Sequence, residues 1–525
     1  MKPSLALSVE PALAKARRLL GLSTWLLFAP MGAYLTWLNW GHTLGLLQMA
    51  LLAVSVVGLG VVNGETAVVV YNRWGRQDHR VRGLLQRLWG KSVTAVPVPK
   101  RSVDTPSLVT ASSTLSRSAP LALESFRSQR LRPAPPTPLT SATMPFASVI
   151  VVAYLPNEQE IIEETLLHWL TQVTPPASGW ELVLAYNTPT RLPVEACLKN
   201  LADRFPQLVL LPVGHSQSKA ENLNAALKQV QGEMTCIFDA DHHPNPDCLS
   251  RAWEWLAEGQ YDGVQGRNII RNAGDNWLTN LIAVEFECIY GVSHYGRSLL
   301  ADTALFGGSN GYWRTAAIQH LGFEPARLTE DIDATLRGLL EGYRIVHDPA
   351  IVTTELAPNR LRGLWLQRQR WSQGWVEVGW LYMGRVVRSP YLDPIQKIYW
   401  VMMLLFSQGF YPLVWQVVPM LLSIHVSGVD RDLHFETLNL TMMGLLTLSV
   451  VIQVVVAMRL RPANSSYSRR HGGLYCLLSP VYFWLKTLIG LVALYNHLCG
   501  SRAWHVTART KHRPKKWVLG LRDSE

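Results

Sequence analysis

Three kinds of hydrophobic pattern divide this chain. Long apolar runs lie near both ends: Leu20 to Trp40, Leu44 to Val62 with a weaker continuation to Tyr71, Val401 to Ile424, Leu438 to Leu460, and Leu474 to Leu498. A helix of about 20 residues rises ~1.5 Å per residue and so matches ~30 Å of membrane hydrocarbon. Only Gly41-His42-Thr43 separates the first two runs, which predicts a helical hairpin. The length of the first run, and a second following at once, argue against a cleaved leader. In the middle, short β-branched runs alternate with helical patterns. Strands are predicted at Ser148 to Val152, Glu181 to Leu184, Leu208 to Leu211 and Thr235 to Phe238, with helices over Asn157 to Leu170 and Ser218 to Val230. That alternation predicts a doubly wound, mostly parallel α/β sheet. The third pattern is a long helical stretch, Asn359 to Arg388, carrying Trp365, Trp375 and Trp380.

Charge refines this layout. The 525 residues carry a net charge of +11, and the excess flanks the apolar runs. Lys15, Arg17 and Arg18 precede the first run, Arg73, Arg76, Arg80 and Arg82 follow the second, and Lys511, Arg513, Lys515 and Lys516 crowd the tail. This distribution suits anionic lipid headgroups and a cytoplasmic side, and no nucleic-acid-binding module accompanies it. Residues from about 92 to 143 are rich in Ser, Pro, Thr and Arg and bury too little apolar surface to fold alone. The six cysteines form no CxxC pair, so a reducing compartment is the simplest reading. The expected organisation is a transmembrane hairpin at 1–71, a basic linker at 72–146, a catalytic domain at 147–358, and an interfacial amphipathic helix at 359–392. Membrane segments at 393–500 and a basic tail at 501–525 follow. Three spans after a cytoplasmic domain would leave that tail outside, against the positive-inside trend. A cytoplasmic tail with one segment re-entrant or interfacial resolves the conflict. Pro480 and Lys486 weaken the last segment, and Gly409 and Pro412 interrupt the third.

Candidate chemistry lies in three motifs. Asp239-Ala240-Asp241-His242-His243 follows a strand, where ligands of doubly wound sheets gather. Its carboxylates can face one Mg²⁺ or Mn²⁺ ion, and His243 could add a nitrogen ligand that favours Mn²⁺. Without a ligand, the same acids would cap the next helix. Thr329-Glu330-Asp331 opens a helical stretch. It is either a general base or a capped helix start meeting the dipole. Gln367-Arg368-Gln369-Arg370-Trp371 places guanidinium forks beside an aromatic ring, suited to phosphate oxygens or to lipid headgroups.

In this order and spacing, the motifs resemble the membrane-bound family 2 glycosyltransferases with a GT-A catalytic domain. That group includes cellulose, curdlan and hyaluronan synthases and glucosyl-diacylglycerol synthases. Ser218-Lys219-Ala220-Glu221-Asn222-Leu223-Asn224, Val264-Gln265-Gly266-Arg267, Phe306 to Gly311, and Glu355-Leu356-Ala357-Pro358 also match, so the resemblance covers about Ser148 to Trp380. It implies that Asp241 binds the metal, that Asp239 and Lys219 meet the nucleotide sugar, and that Asp331 is the base. It implies further that Gln367, Arg370 and Trp371 hold the diphosphate and the acceptor, and that Tyr154 and Glu158 flank the nucleoside. The family usually carries an Asp after the second strand; here that stretch reads Ala185-Tyr186-Asn187-Thr188. An Asn side chain can both accept from and donate to a uracil edge, so Asn187 is compatible with uridine, and equally with a plain turn.

The implied activity is inverting transfer of a hexose, glucose favoured, from a UDP-sugar to a membrane-associated acceptor such as diacylglycerol. The alternatives are a processive β-polysaccharide synthase and a non-catalytic membrane scaffold, and the intact motif acids argue against the scaffold.

Overall fold

The computed structural model describes residues 43–74, 143–415, 422, 433–463 and 465–501. The expected first span, the linker and the basic tail lie essentially outside these residues.

The chain enters with helix α1 (Thr43–Trp74) and then builds an alternating core. It runs β1 (Ala147–Tyr154), α2 (Ile162–Gln172), β2 (Trp180–Asn187), α3 (Val194–Arg204), β3 (Leu208–Pro212), α4 (Lys219–Leu227) and β4 (Met234–Asp239). There follow β5 (His243–Pro244), α5 (Cys248–Ala257), β6 (Gly263–Ile270), α6 (Trp277–Cys288), a π-helical turn (Ile289–Ser293) and α7 (His294–Ala301). The core ends with β7 (Gly311–Arg314), α8 (Thr315–Leu321), α9 (Glu330–Leu340) and β8 (Ile345–Glu355). Four long helices complete the described chain: α10 (Leu361–Arg388), α11 (Pro394–Trp415), α12 (Leu433–Leu460) and α13 (Arg469–Leu498).

The sheet runs β3-β2-β1-β4-β7-β6-β8-β5. β1 pairs in parallel with β2 and β4, β2 with β3, and β6 with β8. β7 is antiparallel to both neighbours, and β5 is antiparallel to β8. The mostly parallel expectation therefore holds for the first half, and the second half is mixed. Successive strand residues point to opposite faces. Val149, Val151, Leu182 and Leu184 meet Trp169 of α2 and Trp253 of α5 on one face. Ile150, Val152, Val183 and Ala185 meet Leu223 and Leu227 of α4 on the other. Burial on both faces explains why these strands are continuous apolar runs.

Two more apolar clusters attach the long helices. Ile332, Leu336 and Leu339 of α9 pack with Val378, Tyr382 and Val386 of α10 and with Trp400 and Leu404 of α11. Val69 of α1 joins α6, α12 and α13 in a separate cluster. Within that region Glu285 accepts from Arg368 at 2.6 Å, from Lys486 at 2.8 Å and from the Tyr482 hydroxyl at 2.8 Å. Lys486 docks the last helix onto α6, and α13 runs unbroken through Pro480. Among the described residues α13 is the one helix long and apolar enough to cross a membrane by length and composition; shorter apolar stretches are Pro394–Phe406 and Gly444–Leu460. Large apolar side chains, including Ile395, Ile398, Leu448, Leu477 and Val481, stand on the exterior of these helices.

Candidate active site

Asp239 at the end of β4, the start of α9 and the middle of α10 meet at one cavity of about 630 Å³, while Asp241 lies buried behind its wall. Lys219 organises its polar wall. α4 begins at Lys219 because Ser218 caps it, accepting from Glu221 N at 3.2 Å. The Lys219 ammonium lies 2.6 Å from Asp239 Oδ1 and 3.7 Å from Glu330, and donates to the Gly308 carbonyl at 2.7 Å. Burial works to lower the Lys219 pKa, but Asp239, Glu330 and Asp331 outweigh it and raise the value, so the cation is retained. Gly308 adopts φ +81°, and a Cβ there would lie 2.8 Å from Asp331 Oδ2 and 3.3 Å from Lys219 Nζ. Asp331 and Lys219 thus pack against the same backbone position.

Asp331 is a strongly perturbed acid of the cavity wall. Burial and the neighbouring Glu330 push its carboxyl up to about 7, against the pull of Lys219, the Ile332 N–H and Arg370. The Ile332 N–H donates to Asp331 Oδ1 at 2.8 Å. Arg370 donates to the Leu328 carbonyl at 3.1 Å, which fastens α10 to the turn that carries Asp331. Gly374 allows the same approach, since a Cβ there would lie 2.3 Å from the Thr329 side chain. Gln367, Arg370 and Trp371 all line the cavity, and Gln367 Oε1 is buried with no hydrogen-bond partner. Arg368 faces away, bonded to Glu285 and stacked 4.2 Å from the Trp371 ring centre, so it positions the tryptophan.

The cavity also reaches the nucleoside candidates Tyr154, Glu158 and Asn187. Glu158 accepts from Tyr154 N at 2.6 Å and from the Asn157 side chain at 2.8 Å. Asn187 donates to the Ser216 carbonyl at 2.9 Å and accepts from Asn222 at 2.8 Å, so its amide is oriented by the turn it closes.

At the acidic motif the expectation for His243 is corrected. Its ring stacks on His168 at 4.6 Å and bonds Thr165 at 3.1 Å, away from the acids. Burial, with Arg271, His168 and His242, lowers its pKa to about 2. His242 takes the place beside the carboxylates, because neighbours in extended backbone point to opposite sides. Asp239, Asp241 and His242 each offer a ligand atom, all within 4.8 Å of one another, a set that could hold a metal ion. Two carboxylate oxygens and an imidazole nitrogen suit Mn²⁺ or Mg²⁺. Asp239 keeps 28% of its side chain exposed, whereas Asp241 is fully enclosed and accepts from Leu356 N at 2.9 Å. His242 bridges Asp241 at 3.1 Å and Glu355 at 2.9 Å.

Two family models cover this architecture: glycosyl transferase family 2 matches residues 148–320, and glycosyl transferase family group 2 matches residues 235–460. This chain belongs to the family 2 glycosyltransferases. Among relatives, a beta-monoglucosyldiacylglycerol synthase of Synechocystis is 28% identical over 48% of this chain and 54% of its own. A probable glycosyltransferase, YdaM, of Bacillus subtilis is 27% identical over 44% and 55%, respectively. A poly-beta-1,6-N-acetyl-D-glucosamine synthase of Staphylococcus aureus is 26% identical over 42% and 53%. The matched region spans about half the length of these relatives. A mannosyltransferase from Pyrobaculum calidifontis, solved with GDP-Man and Mn²⁺, overlays 70% of this chain and 92% of its own at TM-score 0.47 and 20% identity.

Several cavity residues were not singled out from the family motifs: His242, Tyr290, Arg297 and Glu65. Glu65 had a signal, being a lone acid in the apolar stretch that continues past Val62.

Proposed function

We propose that this protein is a membrane-embedded, inverting glycosyltransferase. It moves a hexose, glucose favoured, from a UDP-sugar to the hydroxyl of a membrane-borne acceptor such as diacylglycerol. The observation that carries the reading is the meeting of Asp239, Lys219, Asp331 and Arg370 at a cavity that continues between α1 and α11. In this reading 147–358 is the catalytic domain, 359–392 lies at the membrane surface, and the flanking helices are embedded. The apolar exteriors of those helices support the embedding.

Asp331 takes the proton from the acceptor hydroxyl as its oxygen attacks the anomeric carbon. The bond from that carbon to the β-phosphate oxygen breaks on the opposite side, and UDP departs with the electron pair. A carboxyl held near 7 is matched to this task, since it is a stronger base than an ordinary aspartate. Arg370 and Lys219 face the departing diphosphate, with Trp371 and the unpartnered Gln367 oxygen toward the sugars. Asp239, Asp241 and His242 would hold Mg²⁺ or Mn²⁺, which when bound neutralises charge on the leaving group.

The relation to the poly-N-acetylglucosamine synthase keeps a polymerising reading in view. Incubating membranes with labelled UDP-glucose separates the two. A chloroform-extractable labelled product is expected; an insoluble or high-mass glycan as sole product would contradict the lipid acceptor.

A further inference from the structure

Away from the acidic motif, the cavity changes character. Its wall there is Val57, Val61 and Val62 of α1 and Met402, Met403 and Phe406 of α11. Set into this wall is one polar knot. Glu65 of α1 is 2% exposed and accepts from the Tyr399 hydroxyl of α11. Arg297 of α7 is 6% exposed, donates from Nε to the Tyr399 oxygen at 3.2 Å, and brings Nη2 to 3.9 Å from Glu65. The knot forms because α7 touches α1 backbone to backbone: a Cβ on Gly296 would lie 2.7 Å from the Glu65 Cα and carbonyl oxygen. Two buried polar atoms remain without partners, Arg297 Nη1 and His294 Nδ1, and both side chains line the cavity.

Orphaned polar atoms this deeply buried are costly unless a ligand meets them. The valine and methionine side chains that make up most of this wall offer a glycan no hydrogen bonds, but they suit an acyl chain. Glu65 and the Tyr399 hydroxyl already engage the Arg297 guanidinium, which is therefore not a free cation awaiting a phosphate. Burial, with Arg297 and His347, holds the His294 pKa well below its usual value, so its ring is uncharged. One guanidinium N–H and one neutral imidazole nitrogen, protonated as a donor tautomer, match uncharged acceptor oxygens such as the two ester carbonyls of a diacylglycerol.

The geometry points to an acceptor subsite in which Arg297, His294, Tyr399 and Glu65 hold the uncharged ester groups of a glycerolipid. This subsite rests on the glycosyl-transfer reading and specifies its acceptor. It orients the lipid between α1 and α11 so that the free hydroxyl is directed along the cavity toward Asp331.

The test uses the full chain in phosphatidylcholine vesicles with UDP-glucose and dioleoylglycerol. Arg297→Gln should raise KM for dioleoylglycerol about ten-fold, the loss of one buried charge-assisted hydrogen bond, and Tyr399→Phe about three-fold. The UDP dissociation constant, which also reports intact folding, should stay within about two-fold of wild type in both. Wild type should transfer at least about ten-fold more slowly to phosphatidylglycerol, whose free hydroxyls stand beside a phosphodiester, than to dioleoylglycerol. An unchanged acceptor KM in both variants, or a preference for phosphatidylglycerol, would overturn the subsite while leaving sugar transfer intact. Wild type that neither binds UDP nor consumes UDP-glucose would overturn the transfer reading and the subsite together.

Discussion

Replacing Asp331 by asparagine keeps the side chain's shape and removes its charge, so it isolates what the ionised carboxylate costs the fold. The carboxyl is raised from an ordinary 3.8 to about 7, chiefly by burial and then by Glu330. Because the folded value is the higher one, the unfolded chain ionises first. The cost is absent below pH 3.8, grows through the window from 3.8 to about 7, and is complete above it. At ~1.36 kcal/mol per pH unit the full rise corresponds to about 4 kcal/mol, and contact of the carboxyl with cavity water reduces this to about 2–4 kcal/mol. Asp331→Asn should therefore be more thermostable than wild type at pH 8 and equal to it near pH 4, measured as Tm in detergent. Transfer should fall about 10²–10⁴-fold in the same variant, with UDP binding retained. Wild-type kcat/KM should show an acid limb with an apparent pKa near 7. A Tm difference independent of pH, or a wild type more stable at pH 8, would refute the reasoning.

Lys219→Met removes a cation that holds the Asp331 value down, so the acid limb of the residual activity should move above the wild-type value and UDP should bind more weakly. An unmoved limb would separate the two residues. Gly374→Val drives a side chain into Thr329, where a Cβ already lies at 2.3 Å, and should cost about 1–3 kcal/mol by overpacking. Transfer should fall with the Tm; a fully active, fully stable variant would show that α10 need not touch the Asp331 turn.

Much of this site is legible from residue order, for identifiable reasons. β1, β2 and β4 are enclosed on both faces, so their apolar runs announce them. β6 and β8 escape that test because they carry Gln265, Arg267, His347 and Asp348 inward, held by long-range partners that no local pattern reveals. β7 is four residues long and antiparallel to strands far from it in the chain, so the mixed half of the sheet has no local signature. The choice between His242 and His243 depends on which side of an extended turn each faces, set by pairing of β5 with β8 more than 100 residues on. The apolar joint between α9 and α10, which brings Asp331 and Arg370 to one cavity, is likewise tertiary, although each motif is plain by itself.

The proposed activity depends on one arrangement: residues from four elements surrounding a single nucleotide diphosphate. A cryo-electron microscopy map of the full chain with UDP and Mn²⁺ examines it most directly. The diphosphate is predicted between Lys219 and Arg370, the ion on Asp239 and Asp241, and the Asp331 carboxyl facing the space beyond the β-phosphate. Nucleotide density outside this cavity, or Asp331 walled off from the β-phosphate by protein, would contradict it.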